Sequence, residues 1–262
     1  MKWLVFFIVI VSFMILFMIR SQKEEFTNQG YILNCFGDEM YFKLTKKMVS
    51  NIRQYDSQRG ICILTDKQGF FDEEYKKENN VTTKQFVYEN HPTFKGIDMN
   101  VPWNKYGLIP KLYHPYYTPF KHTMFLDVDM KFEKDFTFFW QRHDGKITYI
   151  GKSDSNNRSP SYWHWGTIDE VMESSGINIP QTFTTFMIYD DSLKIYIEKH
   201  VSHILENIKN WKIKTNFKFE DGITDEIVYA IIFGLEDIRP DEHIFDWISS
   251  RENCDVFFKD SS

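Results

Sequence analysis

Two aspartates separated by one residue, Asp127 and Asp129, directly follow a short apolar segment at 123–126. Acidic groups that close a buried strand are costly unless water or a cation balances their charge. Two carboxylates at this spacing can reach one divalent ion, and their hard oxygen atoms suit Mg²⁺ or Mn²⁺, which characteristically link carboxylates to phosphates. A solvated loop after a core strand explains the spacing equally well, so the interpretation depends on the elements around the pair.

The elements before the aspartate pair alternate between strand and helix patterns. Apolar runs at 31–36 and 60–65 predict buried strands, partial alternation predicts a third strand at 81–88, and apolar residues at helical spacing predict a helix over 40–55. This alternation indicates an α/β fold with a mostly parallel central sheet, because parallel strands need helical crossovers that cover both faces.

Polar residues follow several of the predicted strands. In parallel sheets, ligands collect at the carboxyl ends of the strands, near the point where the strand order reverses. Such ends are occupied here by residues 34–38, by Thr65 and Asp66, and by residues 127–129. We therefore expect these side chains to lie along one edge of the sheet and to form a ligand site there.

The other segments carry weaker patterns. We predict a short helix at 70–77, a loop at 90–104, a helix at 106–117 broken at Pro110 and Pro115, strands at 146–151 and 184–189, a helix from Asp191 or Ser192 to 208, and a helix at 224–233. No change of composition after Gly30 marks a second domain, so we expect a single globular domain.

Charge and cysteine content exclude several classes of protein. The formal charge is −6, and beyond residue 23 there are 28 basic against 37 acidic residues, which argues against a general nucleic-acid binder. Hydrophobic and charged residues make up 42% and 26% of the chain, so it is not mostly disordered. The three cysteines Cys35, Cys62 and Cys254 have no C-x-x-C spacing, which argues against a structural zinc site.

The first residues differ from the rest of the chain. Residues 3–19 are apolar except for Ser12, and as a helix they would span about 25 Å, enough for a thin bilayer. A cleaved signal peptide has a shorter apolar stretch and small residues at its cleavage site, whereas this run ends in bulky and then basic residues. We therefore predict a membrane anchor at 1–23, a short tether at 24–30 and the globular domain at 31–262. Basic residues on both sides of the run leave its orientation open.

The order of these features resembles that of GT-A fold glycosyltransferases, and of the glycogenin-like group in particular, over roughly residues 31–233. The resemblance rests on the D-x-D pair, the apolar strand before it, Lys111 and Leu112 upstream of that strand, and the end of the first strand with Tyr41. It implies a single GT-A (Rossmann-like) domain and a hexosyltransferase-like enzyme that uses a nucleotide-sugar donor, most simply a UDP-sugar, and a carbohydrate or glycoconjugate acceptor.

The resemblance also implies roles for individual residues. Those on the donor would be Asn34, Cys35, Phe36, Gly37, Tyr41, Asp66, Lys111, Asp127, Val128 and Asp129, with Asp127 and Asp129 holding Mn²⁺ or Mg²⁺ on the diphosphate. Thr184 and Thr185 would lie near the acceptor or the donor sugar, and Asp225 and Glu226 would be catalytic. A helix N-terminus favours ionised carboxylates, so the alternative is that Asp225 and Glu226 only stabilise the start of their helix. His243 is the candidate third metal ligand, although no glycine follows it as in the family's His-x-x-Gly pattern, and an exposed loop histidine is the alternative.

Two other classes compete with the transferase. Haloacid-dehalogenase-like phosphatases also carry a D-x-D after an apolar strand, and Asp127 would then be the nucleophile. Their motif, however, normally continues with Gly-Thr near the start of the domain, whereas Met130 and Lys131 follow here. The third interpretation is a non-catalytic, membrane-tethered binding module. For the transferase we expect a single-pass membrane protein, of type II orientation, in the secretory pathway (Golgi or ER) or an equivalent membrane.

Overall fold

The computed structural model describes residues 28–87, 100, 104–143, 145–152, 173, 176–207 and 225–256. The predicted anchor at 1–23 lies outside these ranges, as do most of the predicted tether and most of the predicted loop at 90–104. Within the described ranges, no helix combines the length and the apolar character that a membrane crossing requires.

The centre of the domain is a six-stranded sheet. The strands of the described residues are β1 (Gln29–Cys35), β2 (Gly60–Thr65), β3 (Val81–Gln85), β4 (His122–Leu126), β5 (Met130–Phe132), β6 (Thr148–Lys152), β7 (Gln181–Tyr189) and β8 (Cys254–Val256). The sheet has the order β3-β2-β1-β4-β7-β6, and β5 and β8 form a separate antiparallel pair. Strands β1 to β4 pair in parallel, whereas β7 runs antiparallel to β4 and β6. The predicted mostly parallel sheet is therefore confirmed.

Helices cover both faces of this sheet. They are α1 (Glu39–Tyr55), α2 (Glu73–Glu78), α3 (Ile109–Tyr117), α4 (Phe139–Arg142), α5 (Asp191–Asn207), α6 (Asp225–Leu235) and α7 (Glu242–Ser249). Side chains alternate along β1, so that Ile32 packs in a cluster with α3, α5 and α6 while Tyr31 and Leu33 pack in a cluster with α1, α4 and α7. Because both faces are buried, the strands read as continuous apolar runs in the sequence.

The connections place a switch point between β1 and β4. The chain leaves β1 through α1 towards β2 and β3 on one side, and returns through α3 to β4 on the other side of β1. Helices α1 and α3 belong to opposite apolar clusters, so they leave a crevice at the carboxyl ends of these two strands.

Several sequence predictions need correction. Helix α3 continues from Ile109 to Tyr117 instead of breaking at its prolines. Pro110 lies in the first turn, where the helix needs no N–H donor, and Pro115 is accommodated within the helix. The cap of α5 is Asp190, whose carboxylate accepts the N–H of Ser192, and not Asp191 or Ser192. The short elements β5, α4, α7 and β8 were not predicted.

Asn51 attaches β5 to helix α1. Its Nδ2 donates to the carbonyl of Phe132 at 2.8 Å, and the N–H of Phe132 donates to Asn51 Oδ1 at 2.7 Å, with both bonds buried. Because β5 begins at Met130, this double hydrogen bond fixes the chain just after Asp129.

We expect Asn51→Ala to lower the free energy of unfolding by about 3 kcal/mol, because it leaves the buried N–H of Phe132 without its side-chain partner and the C=O with only the longer bond from the Tyr55 hydroxyl at 3.4 Å. Urea denaturation measures this change. The control is Ser50→Ala at the exposed neighbouring position, which should stay within about 0.5 kcal/mol of wild type. Equal stabilities of the two variants would contradict the role assigned to Asn51.

Candidate active site

Polar residues gather at the switch point between β1 and β4. Leu33 on β1 and Phe186 on β7 both pair with Leu126, the last residue of β4, so β1 and β7 flank the position where Asp127 begins. The N–H of Asp127 donates to the carbonyl of Thr185 at 2.9 Å. Antiparallel β7 therefore brings its first half to the edge at which the parallel strands end.

A cavity of about 710 Å³ opens at this edge, within the size range of small-molecule sites. The described residues that line it are Asn34, Phe36, Gly37, Asp38, Tyr41, Lys67, Gly107, Lys111, Asp127, Val128 and Asp129. Eight of the ten residues predicted for the donor lie in this lining. The ends of β1 and β4 therefore converge on one cavity as expected, whereas Thr65 and Asp66 at the end of β2 do not line it, and the ligand itself remains a prediction.

The two other predicted donor residues lie elsewhere. Cys35 is fully buried in the apolar cluster with α1, because alternation along β1 turns it away from the cavity. Asp66 follows β2 outside the lining, with its Oδ1 buried. All three cysteines are free and buried.

Lys111 joins two carboxylates from distant parts of the chain. Its Nζ lies 2.9 Å from Asp127 Oδ2 and 3.2 Å from Asp225 Oδ2. Helix α3 supplies the lysine, the end of β4 supplies Asp127, and the start of α6 supplies Asp225. Thr184 Oγ1 on β7 also donates to Asp225 Oδ2. The candidate catalytic helix start and the D-x-D pair therefore belong to one charged cluster.

Among the described residues of this cluster, the carboxylates outnumber the one ammonium group. Burial, opposed by the charge of Lys111, raises the pKa of Asp127 to about 7. Burial and then the charge of Asp225 raise the pKa of Glu226 to about 8. Burial works against the Lys111 ammonium, yet the charges of Asp127 and Asp225 hold its pKa above the usual value. A further cation at this site would make ionisation of the carboxylates more favourable.

Two side chains of this site carry buried polar atoms without partners among the described residues. Both amide atoms of Asn34, in the cavity lining, lack a hydrogen bond there, and so does Oε2 of Glu226. Buried polar atoms are nearly always paired in folded proteins, so those in a cavity call for an explanation, and a polar ligand supplies one.

His243 is not brought to the aspartate pair. It is exposed at the start of α7, where Asp241 caps the helix by accepting the N–H of Ile244 at 3.0 Å. It lines a different cleft, together with Arg142 and Arg239. No group of three or more potential metal-ligating side chains occurs in the described part of the chain. Among the residues that the structure describes, Asp127 and Asp129 remain as the candidate protein ligands.

Sequence reasoning missed Lys67 in the cavity lining. Its Nζ donates to the carbonyl of Gly37 at 2.8 Å and lies 5.3 Å from the centre of the Phe42 ring. The signal was present, since Lys67 comes two residues after the predicted end of β2. Gly107 carried no comparable signal.

Solved structures with a similar fold include glycosyltransferases. The apo form of GlyE from Streptococcus pneumoniae matches with a TM-score of 0.50 at 12% identity, over 83% of this chain and 46% of that one. Apo mouse xyloside xylosyltransferase 1 matches with a TM-score of 0.51 at 9% identity, over 82% and 84% of the two chains. The galactosyltransferase LgtC, solved with donor and acceptor sugar analogues, matches with a TM-score of 0.51 at 12% identity, over 84% and 79%.

These similarities establish the fold of the chain. It has the GT-A fold that these glycosyltransferases share, and it spans less than half the length of GlyE. No protein-family model matches the sequence, and the comparison with curated proteins gave no match.

We expect Glu226→Gln to remove part of the pH dependence of stability. Burial raises the pKa of Glu226 from 4.5 to about 8, so between these values the unfolded chain loses a proton that the folded chain keeps. Unfolding therefore becomes easier as the pH rises through this window, and the neutral glutamine escapes the effect. Relative to wild type, the variant should gain stability between about pH 5 and pH 8.5 in urea titrations with EDTA.

The control for this pH series is Glu206→Gln, which changes an exposed carboxylate on α5. Its stability difference from wild type should stay constant across the same range. A constant difference for Glu226→Gln as well would show that this side chain does not hold its proton in the folded protein.

Proposed function

We propose that this protein is a metal-dependent glycosyltransferase that moves a sugar from a nucleotide-diphosphate-sugar donor, most simply a UDP-sugar, to a carbohydrate or glycoconjugate acceptor. The observation that carries the proposal is the position of Asp127 and Asp129. Both line the cavity at the switch point of a sheet with the GT-A fold. The glycogenin-like assignment within that fold belongs to the same proposal.

The aspartate pair suits a divalent ion. Asp127 is 19% exposed, and the pKa of about 7 that burial gives it would fall beside a cation. Burial and the nearby charge of Asp129 also raise the pKa of Tyr41, which places this phenol in the field of the pair. Mn²⁺ and Mg²⁺ both favour such oxygen ligands and complete their shells with water and phosphate oxygens. When bound, the ion would stabilise the charge on the leaving diphosphate.

Different residues of the chain would bind different parts of the donor. Lys111 would add a positive charge beside the diphosphate in a partly buried site, where charge stabilisation is strong. Asn34, whose side-chain amide has no hydrogen-bond partner among the described residues, would bind the nucleotide from the β1 side of the cavity.

The opposite side of the cluster would face the sugars. Thr184 fixes Asp225 through a hydrogen bond, and Asp225 also receives the ammonium of Lys111. Glu226 follows directly, with its buried Oε2 lacking a partner among the described residues. Asp225 would orient the donor sugar or an acceptor hydroxyl, and Glu226 would hold a proton near it.

The membrane location is also a proposal. Its support is the apolar run at 3–19, which lies outside the described residues. Were it to form an anchor, the domain would be held close to a membrane of the secretory pathway or its equivalent, in the type II orientation.

We expect Asp127→Asn and Asp129→Asn each to lower Mn²⁺-dependent release of UDP from UDP-sugars by about 100-fold or more, because each removes a proposed ligand of the ion that stabilises the leaving group. A thermal-shift screen of UDP-glucose, UDP-galactose, UDP-xylose and UDP-N-acetylglucosamine with Mn²⁺ would first select the donor. A coupled assay of UDP release then measures the rates.

The control variant is Asp246→Asn, which removes an exposed carboxylate on α7 and should keep the wild-type rate. Full activity of the double variant at 127 and 129 would refute the metal assignment. Release of phosphate from p-nitrophenyl phosphate by the wild type, without UDP release, would favour the phosphatase. Stabilisation by a nucleotide sugar without turnover would favour the binding module.

A further inference from the structure

Helix α3 contains Pro115, which cannot donate the backbone hydrogen bond that the carbonyl of Lys111 would otherwise accept. In a regular helix the N–H of residue 115 would donate to the carbonyl of residue 111. Pro115 has no N–H, and a proline ring crowds the carbonyl four residues before it. Helix α3 nevertheless continues to Tyr117. The residue whose backbone loses this bond is the one whose ammonium spans Asp127 and Asp225.

Tyr229 on helix α6 bonds to that carbonyl. Its hydroxyl donates to the carbonyl oxygen of Lys111 at 2.7 Å. The side chain is fully buried, and its ring stacks on Phe233, which in turn stacks on Tyr149. Burial and stacking hold the ring, so the hydroxyl has a defined position relative to α3.

Helix α6 therefore holds Lys111 at two points. Asp225 and Tyr229 are four residues apart and lie on the same face of the helix. Asp225 receives the ammonium of Lys111, and Tyr229 binds its carbonyl. The long side chain of a lysine transmits any shift of its backbone to the ammonium, and displacements of about 1 Å at a reacting centre cost up to about 100-fold in rate.

We propose that Tyr229 is a positioning residue for Lys111, and that its hydroxyl replaces the backbone donor which Pro115 removes. This inference rests on the proposed function, in which Lys111 acts on the donor diphosphate. Tyr229 itself lies outside the described cavity lining, so it acts through Lys111 and not by touching the donor.

The test is rescue of Tyr229→Phe by Pro115→Ala. Tyr229→Phe keeps the ring and loses the hydroxyl. We expect about fivefold weaker binding of UDP with Mn²⁺ by calorimetry, because the ammonium of Lys111 is then less well preorganised for the diphosphate. Pro115→Ala restores a backbone N–H at this position, so Tyr229→Phe combined with Pro115→Ala should recover affinity to within about twofold of wild type.

The matched control is Tyr149→Phe. Tyr149 is also a buried tyrosine whose hydroxyl donates to a backbone carbonyl, that of Ile238 at 3.0 Å, and its ring belongs to the same aromatic stack. Its loss should lower stability and leave the affinity for UDP with Mn²⁺ within about twofold. The comparison separates a general cost of losing a buried hydroxyl from an effect on Lys111.

Three outcomes would overturn the inference. The first is equal affinities of Tyr229→Phe and Tyr149→Phe, and the second is a loss in Tyr229→Phe that Pro115→Ala fails to recover. Either would leave the proposed function intact. The third is wild-type protein that binds no nucleoside diphosphate with Mn²⁺, which removes the proposed function and the inference together.

Stability gives a second measurement if Tyr229→Phe weakens the fold. Urea denaturation of wild type, the two single variants and the double variant forms a double-mutant cycle. A smaller cost of losing the hydroxyl in the Pro115→Ala background supports the replacement of one donor by the other. Additive effects overturn it.

Discussion

The site depends on one ammonium group between two carboxylates. Lys111 brings Asp127 and Asp225 to a common point, although these residues come from different elements. Without the lysine, the two carboxyl groups would lack the positive charge between them, which favours protonation of one of them over ionisation of both. Strand β7 is tied to the same pair, through the carbonyl of Thr185 at Asp127 and the hydroxyl of Thr184 at Asp225. The lysine therefore holds together the two sides of the proposed active site.

The same cluster is short of positive charge. Within the described part of the chain, a single ammonium faces Asp127, Asp225 and the neighbouring Glu226. Burial raises the pKa of Asp127 to about 7 and that of Glu226 to about 8. This local deficit agrees with the acidic balance of the whole chain, at −6. A diphosphate would meet repulsion at such a site unless a cation came with it. The charges that the fold places together therefore support the proposed metal dependence.

Local features of this protein were predictable from its sequence, and pairings across the chain were not. The strands with both faces covered appear as apolar runs, and the aspartate pair ends one of them. The ion pair of Lys111 with Asp225 carries no local signal. Pro115 predicted a break in the helix, because the hydroxyl that bonds to the carbonyl of Lys111 belongs to Tyr229. This residue lies 118 positions away in sequence, so no local pattern indicates the bond. His243 was the candidate third metal ligand because of its residue type and late position in the chain. The structure places it at the start of helix α7, where it lines another cleft.

The shared lysine also links the donor side of the site to the sugar side. A cation at Asp127 and Asp129 would neutralise part of the charge that now holds Lys111, and Asp225 would then be the main anionic partner of its ammonium. This would change the electrostatic potential at the first turn of helix α6, where Glu226 follows Asp225. The hydrogen bond from the Tyr229 hydroxyl to the carbonyl of Lys111 would be retained, because it involves no charged group. Binding of metal and diphosphate would thus change the electrostatic environment of Glu226, while the backbone of Lys111 stays in place.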